Sequence, residues 1–73
     1  MNENKLITMA NQIGAFFESM PDRAEAISGI VTHIRATWDP RMRHGLKHHI
    51  ETCGDAELLP LVREALPRIF NDD

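Results

Sequence analysis

His44, His48 and Glu51 follow one another at intervals of four and three residues. On a helix they share a face, and two imidazoles with a carboxylate are the beginning of a zinc-type site. A closed site needs further ligands from elsewhere in the chain. Next to Arg41, this face reads better as a solvated polar surface. His49 and Cys53 are also four apart, which puts an imidazole one turn from a thiol, the start of a nucleophile–base pair. No third group that would orient the base accompanies them, so His49 is expected at the edge of the core with one ring nitrogen bonded. Ser19 and Ser28 lie in no glycine-rich elbow. There is neither a phosphate-cradling glycine loop nor a cysteine cluster for iron–sulfur ligation.

Arg35, Arg41 and Arg43 flank Trp38. Such a group can hold phosphates while the indole stacks on a base. Trp38 continues an apolar helical stripe, however, which assigns it to the core. The arginines then pair with acidic side chains or helix C-termini of this chain or another. His33 has two readings that the sequence leaves open: a surface histidine, or a polar anchor inside a contact with a partner.

These residues need helices to position them. Leu6, Met9, Ala10, Ile13, Phe16, Phe17 and Met20 recur at helical spacing, predicting a first helix over about 4–20 that Pro21 stops. Ile7, Asn11, Gly14 and Glu18 form a second, mostly polar strip. Asp22 and Glu25 mark the start of a helix over 23–38, whose stripe is Ile27, Ile30, Val31, Ile34 and Trp38. Ala26, Gly29, His33 and Ala36 lie on its far side, small enough for another backbone to come close. Asp39-Pro40 is the strongest punctuation in the chain, a cap followed by a first-turn proline. It opens a helix over 40–53 with Met42, Leu46, His49, Ile50 and Cys53 on one face, closed by Gly54. Leu61, Val62, Ala65, Leu66 and Ile69 give a last helix over 60–70, kinked or shortened by Pro67. With no alternating strand pattern, the expectation is an all-α fold, a small bundle of three to four short helices in one domain over 1–73.

Size and charge narrow the function. Seventy-three residues, 42% apolar, are too few for a catalytic barrel or a doubly wound nucleotide-binding domain. The formal charge is −3, unlike the strongly basic balance of most nucleic-acid binders. Yet residues 33–50 hold four basic groups against Asp39, plus all four histidines, a positive band between acidic ends. The lone Cys53 allows no intrachain disulfide and fits a reduced, cytoplasmic setting. No apolar run reaches the roughly 18 residues of a membrane span, and the N-terminal residues lack the pattern of a signal peptide.

Three strings carry a resemblance. They are Lys5-Leu6-Ile7-Thr8-Met9-Ala10-Asn11-Gln12-Ile13 followed by Phe16-Phe17; His33-Ile34-Arg35 followed by Trp38-Asp39-Pro40-Arg41-Met42-Arg43; and Leu59-Pro60-Leu61-Val62-Arg63-Glu64-Ala65-Leu66. Together, over about residues 5–66, the chain resembles the delta subunit of bacterial NAD-dependent, molybdenum-containing formate dehydrogenase. The resemblance implies a small cytoplasmic accessory subunit without a cofactor of its own, associated with assembly or stability of the complex. In that family the large subunit holds the molybdenum cofactor and iron–sulfur clusters, and other subunits carry flavin and reduce NAD.

The reading that follows is a non-catalytic subunit whose partner is the large molybdenum-containing catalytic subunit, with no nucleic acid and no membrane involved. Asn11, His33, Arg35, Arg41 and Arg43 are the expected partner contacts. Trp38 is expected to pack, and Asp39 with Pro40 to cap. An uncovered partner face would let the isolated chain self-associate. The alternative is a small regulatory module that binds nucleic acid or a metal through its basic, histidine-rich middle.

Overall fold

Side chains mark where three of the four helices begin. In the computed structural model, which describes residues 2–71, the Asn2 carboxamide accepts a hydrogen bond from the Asn4 amide at 2.9 Å and starts α1 (Glu3–Phe17). Asp22 accepts from the amides of Ala24 and Glu25 at 2.8 and 3.2 Å and starts α2 (Arg23–Thr37). Asp39 accepts from the Met42 amide at 3.0 Å and starts α3 (Pro40–Cys53), with Pro40 in the first turn, where its missing N–H costs nothing. α4 (Pro60–Ile69) also opens on a proline, but its capping residue, Leu59, offers no side-chain acceptor. No strand occurs among the described residues.

The ends of the helices have local causes too. Apolar spacing carries the first helix on to Met20, yet α1 ends at Phe17. Ser19 Oγ donates to the Phe16 carbonyl at 3.1 Å and the Met20 amide donates to the Phe17 carbonyl, a tight turn in place of a further helical one. Pro21 also disfavours helical backbone at Met20. Gly54 closes α3 with φ +84°, a conformation L side chains rarely adopt. Pro67 does not end α4, which runs on to Ile69 and closes with the Phe70 amide on the Leu66 carbonyl.

α2 and α4 share the largest interface, α1 packs against all three other helices, and α3 is held chiefly by α1. Between them Leu6 and Ala10, Ile30 and Ile34, Leu46, and Val62, Ala65 and Ile69 are wholly buried. Each large aliphatic side chain buried in this way contributes about 1.5–3 kcal/mol.

The pattern of faces differs from the sequence expectation at several points. Ile7 and Gly14, expected on a polar strip, are buried, and so is Ala26, expected on the far side of α2. At Gly14 a Cβ would overlap Val62 Cγ2, so the missing side chain is what lets α1 come down on α4. Phe16, expected in the core stripe, stands 74% exposed. Cys53, expected on the apolar face of α3, is exposed as well.

Candidate docking face

Apolar residues cover roughly half the circumference of α1 at about 100° per residue. That is more than its neighbours can cover. Leu6, Ile7, Ala10 and Gly14 form the buried half of this arc. Met9, Ile13 and Phe17 are only partly buried, and Phe16 projects beyond them. The Phe17 ring lies on Gly29 of α2 so closely that a Cβ there would overlap it. Phe16 meets Phe17 edge to face, with ring centroids 5.1 Å apart and an interplanar angle of 87°. This geometry suits the aromatic quadrupole and fixes Phe16 at the rim.

The C-terminal end of α2 adds His33, Thr37 and Trp38, and the first turn of α3 adds Met42. The result is an open groove of about 650 Å³ along α1, with Phe16 as one wall. A second hollow of about 500 Å³ adjoins it through Phe17, His33 and Thr37, and is floored by Gly29 and Ala36. No carboxylate, lysine or arginine lines either hollow, and His33 is the one titratable group in them. The polar groups of this surface are Gln12, the hydroxyls of Ser28, Thr32 and Thr37, and the His33 imidazole. The surface can take apolar side chains of another protein, and aromatic anchors such as Phe16 tend to carry the binding energy of such contacts.

The residues singled out in the sequence divide into groups. His33 and Trp38 belong to the groove, although Trp38 is itself only 5% exposed and presents no free ring face for a base. Arg41 is exposed and borders a neighbouring hollow with Asp39, Met42 and Gly45. Arg43 is half-buried on α3. Asn11 and Arg35 are engaged within the chain, one at each end of α4. Asn11 accepts from the Leu59 amide at 2.9 Å and donates to the Glu57 carbonyl at 2.8 Å. Arg35 donates to the Ile69 carbonyl at 2.9 Å, where a cation also suits the negative end of the helix. Arg68 to Ser28 Oγ at 3.1 Å, and the ion pair of Arg23 with Glu64, tie α4 to α2 along its length.

The histidines of α3 serve a different junction. His48 donates through Nδ1 to Glu3 Oε2 at 2.8 Å, joining α3 to the start of α1. His49 is buried and donates through Nε2 to Glu57 Oε1 at 3.1 Å, joining α3 to the loop before α4. His44 and Glu51 stay exposed. Among the described residues no group of three or more His, Cys, Asp or Glu is placed to hold a metal ion. Nor is any helix among them long and apolar enough to cross a membrane.

Sequence reasoning missed Phe16, Met9 and Ile13 as surface groups. Their signal was present as an excess: α1 carries more apolar residues than one buried stripe needs. Neither a curated protein nor a solved structure matches the chain. A family model does match, over residues 5–66, which takes in the groove, Asn11 and Arg35 and most of every helix. By that match the chain belongs to the NADH-dependent formate dehydrogenase delta subunit family, FdsD.

Proposed function

We propose that this chain is a non-catalytic, cytoplasmic subunit of a formate dehydrogenase complex, and that it docks through the α1–α2–α3 groove on the large molybdenum-containing subunit to support its assembly or stability. The observation that carries this reading is the exposed Phe16 beside an uncharged apolar groove on so small a chain. Contiguous exposed apolar surface of this kind marks an interaction site. The family to which the chain belongs is named for a subunit, which supports a protein partner over a free ligand. A single cysteine also leaves the chain short of the thiolates an iron–sulfur relay needs.

His33 in the groove and Arg41 beside it supply polar contacts around the apolar centre, with Arg43, half-buried on α3, as a further contact of the same docking. Asn11 and Arg35 act indirectly, by holding α4 beneath α1 and α2. The test is co-expression with the other subunits and purification through a tag on this chain. A molybdenum-containing large subunit should be recovered. Phe16→Asp should abolish that recovery and Arg41→Ala should reduce it, with helical content unchanged in both. Purification of this chain without the large subunit would overturn the reading.

A further inference from the structure

We propose that α3 is a releasable arm: it leaves α1 and returns as one unit while α1, α2 and α4 stay folded. Its hold on the rest is the weakest of the four helices. α1 and α2 each bury four residues and the 10-residue α4 buries five, whereas the 14 residues of α3 bury only Leu46 and His49. Met42 and Ile50 add partly buried contacts. The largest interface lies between α2 and α4, and α3 is held chiefly by α1. One of its two buried anchors is polar: His49 bonds Glu57 at 3.1 Å, and the Glu57 side chain is 64% exposed. The other polar tie, His48 to Glu3, is also open to solvent on the histidine side, and exposed pairs of this kind contribute little.

The flanks of α3 are pinned, so release stops there. Before it, Trp38 is buried and its amide donates to the Ile34 carbonyl at 2.8 Å. After it, Leu58 is buried, and the Leu59 amide and Glu57 carbonyl are bonded to the Asn11 carboxamide of α1. Between these points the chain has a joint at each end of the helix, Asp39-Pro40 and Gly54. Segments with few buried apolar contacts open at a lower free energy than the whole fold. In opening, α3 uncovers Leu6, on which Gly45 lies so closely that a Cβ would come within 2.8 Å of Leu6 Cδ1. It also takes Met42 out of the groove. The groove is therefore a variable hollow, with α1 and α2 its fixed walls, whatever occupies it.

Amide hydrogen exchange of the full chain, followed by nuclear magnetic resonance in low and rising urea, tests it. The Leu46, His49 and Ile50 amides should share one opening constant, at least about tenfold larger than that of Ile34 in α2 and Leu66 in α4. Its dependence on urea should also be smaller, because less surface is exposed. Substitutions separate the two openings. Ile30→Val, in α2, destabilises the closed and the α3-released forms alike. It should therefore speed exchange at Ile34 and Leu66 roughly two- to tenfold and leave α3 unchanged. Glu57→Ala destabilises only the closed form, so α3, α2 and α4 should all exchange faster, by about the same factor. Rates that rise in steps toward the ends of α3 would mean fraying and would overturn the proposal. So would a single opening constant for all four helices, or an Ile30→Val variant in which α3 speeds up with α4.

Discussion

Asn11 and Leu59 are 48 residues apart in sequence and joined by a hydrogen bond of 2.9 Å, from the Leu59 amide to the Asn11 carboxamide oxygen. The nitrogen of the same carboxamide donates to Glu57 at 2.8 Å. With Arg35 on the Ile69 carbonyl, both ends of α4 are fastened from outside the helix. At 10 residues α4 is the shortest of the four helices, below the roughly 12–15 at which an isolated helix becomes even marginally stable. It depends on these attachments and on its buried stripe.

Asn11→Ala leaves a part-buried amide and a carbonyl without their partner, at a cost of about 1–3 kcal/mol. For a domain of this size each kcal/mol lowers Tm by roughly 4–8 °C. Thermal unfolding followed by circular dichroism checks this; an unchanged Tm would show that water replaces the carboxamide freely.

At the other end of α4, Arg35→Ala removes a charged donor from the last turn. The expected effect is more local, about 1 kcal/mol, and it should appear as faster amide hydrogen exchange around Phe70 and Asn71. The two sites sit at opposite ends of the helix, so the double variant should lose close to the sum of the two single losses.

Gly14→Ala should destabilise even though alanine is the better helix former by about 1 kcal/mol. The new methyl overlaps Val62 Cγ2 in the α1–α4 contact, and overpacking of this kind costs about 1–3 kcal/mol. Val62→Ala opens that space at the price of a cavity. In a urea-unfolding cycle the two substitutions together should cost less than their sum, and strict additivity would place the strain elsewhere.

Phe16→Asp should separate stability from association. The side chain is mostly in water, so unfolding free energy should stay within about 0.5 kcal/mol of the parent. Recovery of the large subunit should nevertheless be lost. A variant that melts early instead would make Phe16 a structural residue.

Much of this fold was legible because short-range chemistry fixes it. Asp39-Pro40 and Gly54 bracket α3 from both sides, and Asp22 announces α2. The end of α1 was harder, since it turns on a serine hydroxyl competing with the helix and on a proline acting one residue back. The docking face was the least legible part. Spacing shows that Leu6, Met9, Ile13 and Phe16 share a broad arc, but which edge of it is covered depends on where α2 and α4 lie. Asn11 looked like a surface group for a related reason: nothing near it in sequence reveals a bonding partner 48 residues away.

Trp38 is the chain's single tryptophan, and it is both buried and part of the groove wall. The molecule therefore carries its own optical reporter. The ring is already out of water, so an occupant of the groove leaves its emission where it is, while unfolding exposes the indole and moves the emission to longer wavelength, with no label attached. One fluorescence trace can thus show that a Phe16→Asp variant which fails to dock is still folded.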